Sequence, residues 1–317
     1  MTAPPLRSLL VFNGEAGFYA QALRARCPAL EVRATTERAE ALRLLAEVEA
    51  LVVSGPWVDD AMLAAGPALR WVHALTSGTD TITGSPALRP GTLVTSSRGV
   101  HGPQMSELAL LMMMALARDL PRMLRDQREG AWNRWPQPLL WRRHAVLVGT
   151  GHVARELARR CQAMGMRVSG ISATPAPIDG FDDVQGRERL PQVVAQADFV
   201  VVLTAHDART HHLIDAPVLA AMPAHAFLVN LSRGGVVDEH ALLAALEGGV
   251  IAGAGLDVYE TEPLVAGHPL RRLPNVIATP HIGGLSDVYA RQVLPMLLDN
   301  AAALAAGDVG ALVNRVC

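Results

Sequence analysis

The chain has 317 residues, half of them hydrophobic, more than one ordinary core accommodates, which points to two domains. With 28 Lys and Arg against 30 Asp and Glu, the net charge is −2 and no long basic run exists, which argues against a nucleic-acid surface. The three cysteines, Cys27, Cys161 and Cys317, are scattered and lack metal-ligand spacing, so a reducing compartment and no metal site are expected.

Residues 9–12 read as a first strand, Val32 lies in a second, residues 42–48 form a helix, and residues 51–53 and 71–75 form further strands. The last of these runs into Thr76-Ser77-Gly78-Thr79-Asp80. A strand at Leu93-Val94 is followed by Ser97-Arg98-Gly99-Val100-His101-Gly102, and Pro103 opens a helix with Leu108, Leu111, Met112, Ala115 and Leu116 at helical spacing. This helix holds the longest apolar run, residues 108–117, too short to span a bilayer. Residues 118–143, with Trp132, Trp135 and Trp141 among prolines, read as an irregular arm. The N-terminus leads straight into a strand without a signal-peptide pattern, so a cytoplasmic location without membrane attachment is expected.

The organising stretch is Val146-Leu147-Val148-Gly149-Thr150-Gly151-His152-Val153-Ala154. An apolar run meets two glycines and a helical pattern follows at once, as in the strand, turn and helix start of a dinucleotide-binding βαβ unit. Gly149 permits the turn, Gly151 lets a pyrophosphate approach the backbone, and Ala154 fills the third small position. Thr150, His152 and Val153 complete the expected phosphate cradle at the positive end of the helix dipole. Beyond it, residues 152–164 read as a helix. Residues 167–171, 199–203, 227–229, 251–256 and 276–278 read as buried strands of a parallel sheet. His211 and His212 read as a helix edge. Residues 287–306 form a final helix containing Pro295, and residues 309–313 add a short strand.

Three segments follow such strands: Asn230-Leu231-Ser232-Arg233-Gly234-Gly235-Val236-Val237-Asp238-Glu239, then Leu256-Asp257-Val258-Tyr259-Glu260-Thr261-Glu262-Pro263, then Thr279-Pro280-His281-Ile282-Gly283-Gly284. Ligands bind at the carboxyl ends of strands in open α/β sheets, so an arginine, two carboxylates and a histidine gather near the glycine turn. In this order the segments resemble the D-isomer-specific 2-hydroxyacid dehydrogenase family over nearly the whole chain. The resemblance implies two Rossmann-like domains with doubly wound parallel sheets and an active site in the cleft between them. It implies Arg233 as the substrate-binding arginine, His281 as acid/base and Glu262 as its partner. Asp257 matches the family aspartate beside the nicotinamide, and Leu231, Ser232, His281 and Gly283 are placed at the cofactor. Backbone amides at Ser77, Gly78, Gly99 and Val100 match the positions that hold the substrate carboxylate, and His101 lies in the same loop.

The chemistry suits these residue types. A guanidinium fork binds a carboxylate and its adjacent carbonyl. A histidine titrating near neutrality can give or take the proton, and a carboxylate on its other nitrogen fixes the tautomer. The second cofactor strand ends in Ser172-Ala173-Thr174 without the aspartate that NAD-preferring members carry, so Ser172 and Thr174 are free to meet a 2′-phosphate. The arginine common in NADP-preferring relatives is replaced by Ala173. The cofactor is NADP(H) or NAD(H), the balance favouring NADP(H).

The expected organisation is a discontinuous substrate domain of residues 1–96 plus 287–317 and a dinucleotide domain of residues 97–286. The expected reaction is NAD(P)H-dependent reduction of a small 2-keto acid (glyoxylate, hydroxypyruvate or an aryl pyruvate) to the D-2-hydroxy acid, and its reverse, in a homodimer. The alternatives are a 3-phosphoglycerate dehydrogenase and a non-catalytic, corepressor-like dinucleotide sensor.

Overall fold

The computed structural model describes residues 4–317. Among the described residues twelve strands run in chain order: β1 (Ser8–Phe12), β2 (Glu31–Thr35), β3 (Ala50–Val53), β4 (Trp71–Ala74), β5 (Leu93–Ser96), β6 (His144–Val148), β7 (Arg167–Ser172), β8 (Asp183–Gly186), β9 (Phe199–Val202), β10 (Phe227–Asn230), β11 (Gly253–Leu256) and β12 (Val276–Ala278). They build two sheets. The described residues divide into two units, one of the residues up to Val100 together with Ser286–Cys317, the other His101–Leu285.

The first unit carries a five-stranded sheet of order β2-β1-β3-β4-β5, all pairs parallel. Its inner strands β1 and β3 are almost wholly apolar because both faces are covered, whereas the edge strand β2 carries Glu31 and Arg33. Leu9 and Val11 face a cluster formed with Tyr19 and Leu23 of the helix Ala16–Arg26. Leu10 and Phe12 face the opposite cluster with Leu45 and Met62. The final helix, Tyr289–Ala305, belongs to this unit and buries Val293, Leu297, Ala301 and Leu304, one stripe at helical spacing, against the first cluster. Pro295 lies on its exposed side.

The second unit carries a seven-stranded parallel sheet of order β12-β11-β10-β9-β6-β7-β8. Strand order reverses between β6 and its two neighbours, β7 and β9, the switch point of a doubly wound sheet. Successive residues again alternate between two cores: Val146, Val148, Val200 and Val202 on one side, Ala145, Leu147, Phe199 and Val201 on the other. The helix Gly102–Ala117 covers the latter side with Ala109, Met112, Met113 and Leu116.

Several expectations need correction. Residues 118–143 are not irregular throughout, since Leu120–Glu129 is a helix. Asp119 caps it by accepting from the Arg122 amide, and Gly130 closes it in the left-handed region at φ +69°. None of its residues is buried, and its apolar residues Leu120, Met123 and Leu124 are confined to its first half. The helix expected at residues 42–48 spans Arg38–Leu45, because its polar first turn carries no apolar signal. β8, an edge strand of mixed polarity, was not anticipated. β11 begins at Gly253, not at residue 251. The strand expected at residues 309–313 is a 3-10 turn, Val309–Ala311, whose Gly310 amide is held by Asp308. The tail instead pairs antiparallel along β5 through Asn314, Val316 and Cys317. His211 and His212 lie in a turn, with His212 at φ +50° and its ring 2.9 Å from Glu260.

Candidate active site

The glycine turn leaves β6 at the switch point of the second sheet. Gly149 takes φ +106°, and its amide donates to the Ile171 carbonyl at 2.8 Å. A Cβ at Gly149 would lie 2.9 Å from the backbone of Leu203 and Thr204, beyond β9. Only glycine meets both conditions. Gly151 is different: it caps the helix His152–Ala163, and a Cβ there would meet nothing within 4 Å. Packing within the chain does not demand a glycine at 151. The open space before this helix start is what a phosphate group needs, so the turn fits a dinucleotide. Ala154 is buried behind it, Gly151 and His152 are exposed, and Thr150 and Val153 are half-buried.

A cavity of about 190 Å³ opens beside the turn, lined by Gly149, Thr150, Ser172, Ala173, Arg187 and Thr204 among others, with no carboxylate in its wall. The Ser172 hydroxyl accepts from the Thr174 amide at 3.2 Å and donates to the Thr174 carbonyl at 3.3 Å. Of these, Arg187 escaped the sequence reading because β8, which delivers it, did.

The Arg233 loop follows β10. The Asn230 side chain accepts from the amide and hydroxyl of Ser232, each at 3.1 Å, and donates to the Arg233 carbonyl at 3.1 Å. Arg233 donates from Nη1 to the Ser232 carbonyl at 2.7 Å. Leu231 is buried in the apolar layer with Leu147 and Val229. Gly234 is buried so tightly that a Cβ would overlap the backbone of Tyr259 and Glu260. This interlock fixes the Arg233 loop against the loop after β11. It too was missed, because the Gly234-Gly235 pair shows a motif but not what it touches.

That second loop carries Glu262. One carboxylate oxygen accepts from the Tyr259 amide at 3.0 Å, and the other lies 2.7 Å from Nδ1 of His281. A carboxylate only accepts, so Nδ1 carries the proton and Nε2 is left for chemistry. The Tyr259 hydroxyl donates to the carbonyls of Leu256 and Thr279, and burial pushes its phenol up to about 12.

Asp257 is buried and holds the third loop. It accepts from the Thr279 hydroxyl at 2.6 Å and from the amides of Ile282 and Gly283 at 2.9 and 2.8 Å. These bonds bracket His281, whose φ of +54° is left-handed. Such a backbone is uncommon outside glycine and is retained where its surroundings impose it. Gly283 is closed in by Asp257, Met105 and Leu108. His101 lies against Gly284. Burial first, then Arg233 and His152, push its imidazole down to about 4, so it is neutral at pH 7.

In the first unit, Ser77 and Gly78 follow β4, and Gly99 and Val100 follow β5, its neighbour in the sheet. Ser77 and Gly99 are exposed, Gly99 at φ +104°. Thr76 fixes the first turn by donating to the Gly78 carbonyl at 2.7 Å. Among the described residues no cluster of three His, Cys, Asp or Glu side chains is arranged to hold a metal ion, and no helix is long and apolar enough to cross a membrane.

A doubly wound sheet, a glycine turn at its switch point and a carboxylate–imidazole pair on neighbouring strand ends define a nicotinamide-dinucleotide oxidoreductase. Residues 110–283 match the family described as D-isomer specific 2-hydroxyacid dehydrogenase, NAD binding domain, and the chain belongs to that family. A glyoxylate reductase of Korarchaeum cryptofilum is 33% identical over 260 residues, covering 80% of this chain and 78% of the relative. A D-3-phosphoglycerate dehydrogenase of Archaeoglobus fulgidus is 34% identical over 266 residues, covering 80% of this chain and 49% of that protein. The crystal structure of a D-isomer specific 2-hydroxyacid dehydrogenase from Xanthobacter autotrophicus Py2, in complex with NADPH and MES, is 30% identical, covers 98% of both chains and superposes with a TM-score of 0.82.

Proposed function

We propose that the chain reduces a small 2-keto acid, of the size of glyoxylate, hydroxypyruvate or an aryl pyruvate, to the D-2-hydroxy acid, and favours NADP(H) over NAD(H). The observation that carries the reading is the 2.7 Å contact between Glu262 and Nδ1 of His281, on a backbone held in the left-handed region. When bound, the dinucleotide supplies the hydride that reduces the carbonyl carbon. Everything else falls to the chain. Arg233 binds the substrate carboxylate and carbonyl oxygen through its planar fork. Amides at Ser77, Gly78, Gly99 and Val100 take part in holding the carboxylate. Nε2 of His281 delivers a proton to the oxygen as negative charge develops there, and takes it back in the reverse direction. Glu262 keeps the ring in the required tautomer by accepting from Nδ1. Gly149, Thr150, Gly151, His152 and Val153 hold the pyrophosphate. The backbone at Leu231 and Ser232, with Asp257, His281 and Gly283, borders the nicotinamide end.

The lack of a carboxylate in the lining of the cavity that holds Ser172 supports the NADP(H) preference, since a carboxylate there would repel a 2′-phosphate. We also infer a homodimer. Leu111 and Met114 are exposed on one helix, Leu124 on the next, and Trp132 beyond it is 87% exposed. Light scattering reads this directly, and a monomer at micromolar concentration counts against it.

The activity is tested with a panel of 2-keto acids, including 3-phosphohydroxypyruvate, assayed with NADPH and NADH and followed by chiral analysis of the product. D-configured product from a small unphosphorylated acid, with NADPH preferred in kcat/KM, supports the reading. Turnover confined to the phosphorylated acid overturns the substrate class. A clear preference for NADH overturns the cofactor assignment.

A further inference from the structure

We propose that Arg187 is the residue that reads the coenzyme 2′-phosphate, delivered from β8 and not from the strand end that follows the glycine turn. This rests on the NADP(H) reading above and names the side chain that would carry it.

The argument starts from register. β7 and β8 pair in parallel with Ser172 opposite Gly186, so Arg187 leaves β8 one residue beyond the level of Ser172. The two strand ends therefore present their next residues side by side. Both open into the cavity beside the glycine turn, where Arg187 shares a wall with Thr150, Ser172, Ala173 and Thr204. This cavity offers one permanent cation and three hydroxyls, with no acid in its lining. Ala173 is too short to bind anything at the position where an arginine would otherwise stand, and Arg187 restores the charge from the adjacent strand.

The nearby acids do not consume that charge. Asp207 feels Arg187 only weakly and is already held by Arg209, whose amide and guanidinium donate to it at 2.7 and 3.0 Å. Glu188 folds back over Gly186 and is not part of the cavity wall. A guanidinium beside hydroxyl groups is suited to a phosphate dianion, since its planar fork donates two parallel hydrogen bonds and keeps its charge at any working pH. An unesterified 2′-hydroxyl would give that fork no anion to bind.

Calorimetric binding to the ligand-free protein tests this without recourse to turnover. The probes are 2′,5′-ADP and 5′-AMP, which differ by the 2′-phosphate alone. The wild type is expected to bind 2′,5′-ADP more tightly than 5′-AMP. In Arg187→Ala, affinity for 2′,5′-ADP is expected to fall about 10–100-fold, the range of a charge-assisted hydrogen bond, while that for 5′-AMP changes less than about twofold. Arg187→Lys retains the charge but not the fork and should fall between. An equal loss for both probes would show a general role in shaping the cavity and overturn the proposal. If the wild type discriminates between the probes and Arg187→Ala keeps that discrimination, Arg187 is overturned while the NADP(H) reading stands. If the wild type does not discriminate, both fall together.

Discussion

Gly234→Ala is a small change with a large expected effect. The added methyl would sit inside the backbone of Tyr259 and Glu260, which no rotamer change relieves. To reach ordinary contact the two loops must separate by roughly 1 Å or more. One loop carries Arg233, the other Glu262, whose 3.0 Å bond to the Tyr259 amide and 2.7 Å contact with His281 both depend on that spacing. A misplacement of about 1 Å in a catalytic constellation costs about 10²-fold, so kcat/KM should fall by about that factor. Overpacking a closed interior costs about 1–3 kcal/mol, so the melting temperature should drop by several degrees. Affinity for the dinucleotide should change much less, because the turn at Gly149 and Gly151 lies on a different strand end. The assays are steady-state kinetics well below the melting transition, dinucleotide titration and thermal unfolding. A variant that keeps kcat/KM within twofold of wild type would refute the interlock as the device that positions the site.

One prediction concerns the Glu262–His281 pair and one is pH-dependent. Glu262→Gln replaces the charged acceptor that holds Nδ1 of His281 at 2.7 Å with a neutral amide, so kcat for reduction should fall by about tenfold while dinucleotide affinity holds; an unchanged kcat shows that Glu262 is not the operative partner. In the first unit, burial pushes the His73 imidazole down to about 3, held between the Thr95 and Ser97 hydroxyls. As pH falls below the ordinary histidine range the unfolded chain takes up a proton that the folded chain refuses, so stability drops by about 1.4 kcal/mol per unit, or about 2 kcal/mol from pH 6.5 to 5. His73→Gln, compared with wild type in unfolding at pH 7 and pH 5, should show a shallower loss; parallel losses would mean that His73 is not the group responsible.

What the sequence disclosed and what it hid divide along physical lines. Gly149 was legible because a left-handed turn against Leu203 and Thr204 admits no other residue, and Gly151 because an open helix start leaves the same trace. Arg233, Glu262 and His281 each stand just after an apolar strand, in segments whose spacing survives in one dimension. The helix Leu120–Glu129 was hidden because its apolar residues Leu120, Met123 and Leu124 span little more than one turn, and the rest of it is polar. β8 was hidden because an edge strand of four residues with mixed polarity imitates a loop, and Arg187 was hidden with it. The contact of Gly234 with Tyr259 joins two strand ends and has no local signature. Asp257 was placed beside the cofactor from its motif, but its three accepted bonds around His281 exist only in the folded loop.

The most direct test of the central claim is the turnover of His281→Ala on the 2-keto acid that the wild type reduces best. General acid catalysis contributes about 10²–10⁴-fold, so kcat should fall within that range while dinucleotide affinity stays within about twofold of wild type. A variant that retains more than about a tenth of wild-type kcat would contradict the assignment of His281 as the proton donor, since even the lower end of that range demands a larger loss.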